Sequence, residues 1–412
     1  MRRTLKIAAF AACLLGTCAQ FVLAQSDPIV DSSHISVINP TRKTLGTLHS
    51  TAPATINSSQ SVSPALPLWQ YTVVSPRDGK PYSGSMVGGN PFNRGARTTN
   101  VNVVLIPLRI MFTGTTRNFD PTSPDPGCLG AGNTALRLTQ QSPLLTTSPN
   151  LTMNGVNVGT VTYPDGFQRA NFWSSVSAVS PAYHMALNVT TEPVQTVSMA
   201  NNLYSNGGTA LFNGHSYCST NSNTADNPPA TGFVDINYMD PQLNTIIGNL
   251  NLNANQFPLF LMYGVVLTNG APLPNFSCCV LGYHSTVSNS PTTAAPGQTY
   301  GIAEYDAGGI FGGVTDMSVL THEFMEWVND PSTVNLVPAW GNIGQVSGCQ
   351  NNLEVGDPLS GTLAPGISMP NGMTYHPQEM AFYSWFLGGT PTGTGGKFAS
   401  NGSFTAVAAN CP

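Results

Sequence analysis

One short stretch of the sequence carries the side chains best suited to chemistry. It runs from Asp316 to Asp330 and places His322, Glu323 and Glu326 within five consecutive residues. The whole chain has only 19 acidic residues among 412, yet this window holds four of them. Only 8% of the chain is charged, against about 25% for an average soluble domain. A cluster of ionisable groups in so charge-poor a chain therefore needs an explanation.

The residues around this cluster predict a helix over 316–329. Its apolar side chains recur at helical spacing and form one broad face, which is typical of a helix packed on a core. Its ionisable residues share one narrow stripe on the opposite side: His322, Glu323, Glu326 and Asp330. Pro331 ends the helix because proline donates no backbone hydrogen bond.

The spacing within the stripe suits metal-assisted hydrolysis. His322 and Glu326 are one helical turn apart, so an imidazole nitrogen and a carboxylate oxygen can bind the same cation. A bound cation lowers the pKa of water towards neutrality, and the adjacent Glu323 is placed to accept the proton. Two other interpretations stay open: the stripe is the solvated face of a surface helix, or it is a structural metal site or buried polar network.

The motif itself resembles a known family. His322-Glu323-Phe324-Met325-Glu326 resembles the HExxH helix of the zinc metallopeptidases called zincins, with glutamate in place of the second histidine. With Asp330-Pro331 and the later Glu354-Val355-Gly356-Asp357, it is also similar to secreted bacterial zincin-like proteins and, more distantly, to the plant EXORDIUM/phosphate-induced family. The resemblance extends from Thr321 to Pro358.

This resemblance implies an α+β fold: a loop-rich, zincin-like catalytic domain with a mixed sheet and an active-site helix. It implies zinc held by His322, Glu326 and a later acidic ligand, for which Glu354 is the best candidate, with Glu323 as general base. Asp357, His376 and Asp330 are alternatives for that third ligand. A carboxylate in place of an imidazole makes the site harder, so the identity of the ion is open to manganese or calcium.

The N-terminus predicts export. Basic residues at positions 2, 3 and 6 precede the apolar run 7–15, and Val22-Leu23-Ala24 offers a cleavage site, as in a signal peptide over 1–24. Six cysteines remain after it, an even number that suggests disulfides in a secreted or periplasmic protein. They are Cys128, Cys218, Cys278, Cys279, Cys349 and Cys411.

The rest of the chain divides into two parts. Residues 25–95 are rich in Ser, Thr and Pro and predict a propeptide or a linker. The globular domain is expected over 96–412, with a buried strand at Val101–Phe112, strands at Phe257–Leu267, Cys278–His284 and Thr299–Tyr305, and loop over 341–374. The net charge of −5 and the lack of a Lys/Arg cluster argue against nucleic acid or an anionic membrane as partner.

Together these features predict a secreted metal-dependent hydrolase acting on a protein or peptide substrate. The alternative is a non-catalytic secreted surface or wall-associated protein that keeps the helix as a structural metal site or polar seam. The sequence predicts no membrane span, and it leaves the oligomeric state open.

Overall fold

The computed structural model describes residues 65–93, 97–113, 118–200, 209–213, 230–268, 278–288, 291–307 and 314–411. The predicted signal peptide lies outside these residues. No helix within these ranges has both the length and the apolar character needed to cross a membrane.

The described residues form short helices and many short strands, in keeping with a chain rich in glycine and proline. The helices are α1 (Ala135–Gln141), α2 (Tyr163–Asn171), α3 (Trp173–Val176), α4 (Ile236–Asn249), α5 (Ser318–Asn329) and α6 (Tyr383–Leu387). The strands in the first half of the chain are β1 (Leu68–Val74), β2 (Pro81–Val87), β3 (Thr98–Thr113), β4 (Asn118–Phe119), β5 (Ser148–Met153), β6 (Val156–Val161), β7 (His184–Thr191), β8 (Gln195–Ala200) and β9 (Thr209–Asn213). Those in the second half are β10 (Ala230–Asp235), β11 (Gln256–Met262), β12 (Val265–Thr268), β13 (Cys278–Val280), β14 (Gly282–Thr286), β15 (Thr299–Glu304), β16 (Leu336–Ile343), β17 (Val346–Asn352), β18 (Ile367–Ser368) and β19 (Thr374–Tyr375).

A mixed sheet of seven strands organises the fold. Its order is β14-β15-β11-β3-β4, and β7 and β8 pair with the two halves of the long strand β3. Strands β3, β11 and β15 are parallel, whereas β14 runs antiparallel to β15 at the end of the sheet. This mixed sheet with its helices confirms the predicted combination of α and β structure. That the domain is zincin-like stays a prediction.

Strand β3 separates two hydrophobic cores because its side chains alternate between the faces of the sheet. Val101, Val103 and Leu105 belong to one core, while Val104 and Ile106 belong to the other. A nearly continuous apolar run is what a parallel strand buried on both faces requires. The buried strand predicted at Val101–Phe112 is therefore confirmed.

The two faces of the sheet are covered by different helices. Helix α4 contributes to the core on one face, and α2 and α5 contribute to the core on the other. Helix α5 is fixed by stacking of Trp327 on Phe257 of β11, with ring centroids 3.7 Å apart. The Trp327 indole also donates to the Thr299 hydroxyl of β15 at 2.9 Å. These contacts set the position of α5 against the end of the sheet where β14 lies.

The hairpin β1–β2 is built into the domain. Arg77, between its strands, donates from both terminal nitrogens to four backbone carbonyls, those of Pro338, Ala339, Phe386 and Ala409. The hairpin lies within the segment 25–95 that the sequence predicts to be a propeptide or linker. That this segment is a propeptide or linker stays a prediction.

A second hairpin, β16–β17, spans residues 336–352 and overlaps the segment 341–374 that the sequence predicts to be loop, so that prediction is wrong for this part of the segment. Its strands are half-exposed and do not show the apolar alternation that marks a strand. Gly348 of β17 also has a positive φ, which is unusual within a strand. The hairpin carries the chain away from α5 and back towards it. A disulfide between Cys349 of β17 and Cys411 anchors it, with the two Cα atoms 5.8 Å apart.

Asn335 offers a test of how firmly the β1–β2 hairpin is held. Its buried amide accepts from the Ser85 N–H at 3.0 Å and donates to the carbonyls of Ser85 and Asn329 at 2.6 and 2.7 Å. Asn335→Ala would leave three buried backbone groups unpaired, so the free energy of unfolding should fall by about 3 kcal/mol. Urea denaturation measures this, with Asn253→Ala at an exposed position as control. Equal stability of the two variants would contradict this role.

Candidate metal centre

Helix α5 buries its ionisable stripe. His322, Glu323 and Glu326 are 4%, 2% and 0% exposed, and every other residue of α5 is buried as well. The interpretation of the stripe as a solvated surface face is therefore wrong. The helix is covered on its polar side by β14 and by the turn that follows β17, and these two segments bring further ionisable groups to the stripe.

The turn after β17 holds Glu326 and brings a second acid to His322. One carboxylate oxygen of Glu326, Oε1, accepts from the backbone N–H groups of Gly356 and Asp357 at 3.2 and 3.1 Å. The same oxygen lies 3.2 Å from Nε2 of His322, and Oδ1 of Asp357 lies 3.5 Å from that nitrogen. The Asp357 carboxylate in turn accepts from the side-chain amides of Gln345 and Gln350.

Strand β14 contributes a histidine that the sequence did not single out as a ligand. Nδ1 of His284 lies 3.6 Å from Oε2 of Glu323 and 3.7 Å from Oε2 of Glu326. Its other nitrogen, Nε2, lies 3.9 Å from Oε2 of Glu354. Residues two apart in a strand share a face, and Gly282, two before His284, also faces Glu323.

Two glycines leave room for this arrangement. A Cβ atom at Gly282 would lie 2.8 Å from Cγ of Glu323, and one at Gly356 would lie 2.6 Å from Nδ1 of His322. Real Cβ atoms do not approach so closely, so both side chains occupy space that only glycine leaves free.

Gln378 sets the orientation of the His322 ring. Its side-chain nitrogen donates to the carbonyl of Gly356 at 2.8 Å, so its oxygen faces Nδ1 of His322 at 3.1 Å. An amide oxygen only accepts, so in the neutral ring Nδ1 carries the proton and Nε2 keeps its lone pair. Nε2 is the nitrogen that faces Glu326 and Asp357. Histidines that bind metals are usually oriented in this way.

The acids are buried without lysine or arginine partners among the described residues. Every ion pair at the cluster involves a histidine, and Lys397 is the only Lys or Arg after Arg169 in the sequence. Burial raises the pKa of Glu323 and Glu326 to about 7, and burial with the nearby carboxylates raises the pKa of Glu354 well above its usual value. The cluster therefore has no lysine or arginine among the described residues to balance its acids.

The two histidines respond differently to their surroundings. Burial lowers the pKa of His284. Burial also acts to lower the pKa of His322, but the carboxylates of Glu326 and Asp357 outweigh it and hold that pKa well above 6.5. Burial therefore decides the direction of the pKa shift at His284, and the neighbouring acids decide it at His322.

The cluster fits a metal ion in its donor types and spacing. Several buried atoms have no hydrogen-bond partner among the described residues: Nδ1 and Nε2 of His284, Nε2 of His322, and Oε2 of both Glu323 and Glu354. Two groups of three donors could each hold an ion: His284, Glu323 and Glu326, which we call the His284 group, and His322, Glu326 and Asp357, which we call the His322 group. Two ligands of a tetrahedral ion with bonds of about 2.0 Å lie about 3.3 Å apart, close to the spacings given above.

The predicted site residues are distributed over both groups. His322 and Glu326 come together, with Asp357 rather than Glu354 as the third member of their group. Glu354 lies beside His284 instead, and Glu323 belongs to the His284 group. His376 and Asp330 belong to neither group among the described residues: Nδ1 of His376 lies 2.7 Å from the Asp316 carboxylate, and Asp330 accepts from two backbone N–H groups.

The raised pKa values predict how the stability of the metal-free protein depends on pH. Between pH 4.5 and 7 the folded protein binds more protons at Glu323 and Glu326 than the unfolded chain does, so its free energy of unfolding falls as pH rises through this window. For Glu323 alone the loss is about 3 kcal/mol. The lowered pKa of His284 acts in the opposite direction as pH falls below 6.5.

Urea denaturation in the presence of a chelator at pH 5 and pH 8 measures this effect. Glu323→Gln should show a weaker dependence on pH, and added zinc should restore stability at pH 8. Greater stability at pH 8 than at pH 5 without metal would show that burial does not raise the pKa values of these acids in the folded protein.

Comparison with protein-family models, with curated proteins and with solved structures finds no match for this chain. The resemblance to zincin-like metallopeptidases and to the EXORDIUM/phosphate-induced family therefore rests on the motif around His322 and stays a prediction.

Proposed function

We propose that this protein is an exported metal-dependent hydrolase that cleaves peptide bonds. One observation carries the proposal: Glu323, a buried acid with an unpartnered oxygen, lies beside a group of donors able to hold a cation. His322, Glu326 and Asp357 would hold the ion, and zinc is the expected metal because imidazole and carboxylate are both zinc ligands. When bound, such an ion lowers the pKa of water and polarises a carbonyl oxygen.

Glu323 is suited to the role of general base. Its Oε1 lies 4.0 Å from Nε2 of His322, so the carboxylate borders the place where that nitrogen would meet an ion. Burial brings the pKa of this carboxyl to about 7. A base with a pKa near the working pH can take up a proton and release it again within one reaction cycle.

The residues around the His322 group hold its members in place. The Gly356 and Asp357 N–H groups fix Glu326, Gln378 fixes His322, and Gln345 with Gln350 fixes Asp357. Such supporting contacts orient ligands and preserve their geometry when an ion binds or leaves. Peptide as the substrate class rests on the resemblance to zincins alone.

Export rests on the N-terminal sequence and on cysteine chemistry. The basic and apolar start resembles a signal peptide, and the Cys349–Cys411 disulfide is consistent with an oxidising compartment. We therefore propose a secreted or periplasmic location.

A second candidate function is a non-catalytic exported protein with a structural metal site. The burial of the cluster favours it, since His284, the most exposed of the six clustered residues, is only 6% exposed. A structural site needs ligands but no base beside an open coordination position. Under this alternative, His322→Ala lowers the melting temperature and the protein hydrolyses no peptide.

Glu323→Gln tests the catalytic proposal. The amide keeps the shape of the side chain but cannot accept the proton, so hydrolysis of casein or gelatin should fall by about 100-fold to 10,000-fold. The ion in the His322 group should stay bound, as metal analysis would show. Glu192→Gln, away from the cluster, is the matched control. Hydrolysis at the unchanged rate in Glu323→Gln would exclude this base, and its absence from the unaltered protein would favour the structural alternative.

A further inference from the structure

The donors around His284 form a position separate from the one at His322. The donor atoms of each group lie within 4.8 Å of one another, and the two groups share only Glu326. No group among the described residues joins the two imidazoles. Because two ligands of one zinc ion with bonds of about 2.1 Å can lie no more than about 4.2 Å apart, each histidine faces its own position.

Glu326 connects the two positions through its two oxygens. Oε1 lies 3.2 Å from Nε2 of His322, whereas Oε2 lies 3.7 Å from Nδ1 of His284. A carboxylate that presents one oxygen to each of two cations bridges them, and paired ions of this kind lie about 3.5–4 Å apart. The N–H groups of Gly356 and Asp357 hold Oε1, which fixes the direction of Oε2 towards His284.

The His284 ring is presented as a metal ligand rather than as a satisfied core residue. Its side chain is 1% exposed, and neither ring nitrogen has a hydrogen-bond partner among the described residues. Nδ1 faces the carboxylates of Glu323 and Glu326, while Nε2 faces Glu354 at 3.9 Å. A carboxylate on the far nitrogen of a ligating imidazole raises its basicity and fixes its orientation. Glu354 would act on His284 as Gln378 acts on His322.

The cluster holds more acids than one ion would compensate. The carboxylates of Glu323, Glu326, Glu354 and Asp357 are buried around the two imidazoles, and the charge of Asp330 also acts on His284. A divalent cation would replace protons held by this cluster, and two such ions would compensate up to four negative charges. Uncompensated charge is costly in a buried site, and no lysine or arginine is paired with these acids within the described ranges.

We propose that the His284 group binds a second divalent transition-metal ion, bridged to the first by Glu326, with Glu354 as the positioning residue for His284. The donor set of one imidazole and two carboxylates suits zinc or manganese. If the protein is the hydrolase proposed above, Glu323 would ligate an ion in the His284 group and would then be withdrawn from proton transfer, so hydrolysis is assayed on protein loaded with one ion per chain. Binding of the second ion itself does not depend on hydrolysis.

Metal counting tests the proposal without any assay of activity. The purified protein is stripped with chelator, dialysed against zinc and analysed for bound metal by mass spectrometry. We expect two ions per chain in the unaltered protein, one in His284→Ala, one in His322→Ala and none tightly held in Glu326→Gln. His184→Ala, at a histidine paired with Asp165 outside both groups, is the matched control and should retain two.

Other results would overturn the second position. One ion in the unaltered protein, lost from both histidine variants, would mean that a single ion uses both rings. One ion that survives His284→Ala would mean that only the His322 group binds metal. No bound ion at all would remove both positions, and with them the metal-dependent part of the proposed function.

A measurement on the unaltered protein covers the case in which the variants do not fold. Two Mn²⁺ ions bridged by Glu326 should be exchange-coupled, so the electron paramagnetic resonance spectrum of the loaded protein should differ from that of an isolated ion. A spectrum that stays that of isolated Mn²⁺ up to saturation would overturn the bridged pair. Glu354→Gln should weaken only the second binding step in a zinc titration.

Discussion

The structure depends on how it accommodates buried negative charge. Glu323, Glu326, Glu354 and Asp357 lie together in the interior, and desolvation disfavours the ionised forms of the three glutamates. Backbone N–H groups, glutamine amides and two imidazoles hold them, and no lysine or arginine is paired with them among the described residues. Hydrogen bonds of this kind orient a carboxylate without neutralising it. The carboxylates can therefore still bind a cation. A divalent cation occupies less buried space than a lysine or arginine side chain would.

Local patterns were enough to predict the framework of the site. The apolar run at Val101–Phe112 identified the central strand because a strand buried on both faces needs apolar residues at nearly every position. The helix was predicted over 316–329 and found over Ser318–Asn329, since its apolar spacing and the proline after it are both local signals. Its His322 and Glu326 came together as the helical repeat requires.

The remaining ligands depend on contacts distant in sequence. His284 lies on a five-residue strand, and whether its ring faces α5 is decided by the pairing of β14 with β15 and by where the helix packs. Glu354 and Asp357 are three residues apart in one turn, so the choice between them depends on how the β16–β17 hairpin returns to the helix. That hairpin is rich in glycine and polar residues and carries no strand signal of its own. No local property of these residues specifies which of them faces a common ion.

The four carbonyls bound by Arg77 have a consequence for how the domain is completed. Its guanidinium spans backbone from Pro338 to Ala409, so a side chain near the start of the described fold is satisfied only by residues near its end. The Arg77 guanidinium can reach the Ala409 carbonyl only after more than three hundred later residues have been synthesised, and until then it is solvated. Contacts that close such long loops form late and slowly. The β1–β2 hairpin can therefore dock in full only after residues as far along the chain as Ala409 are available to it.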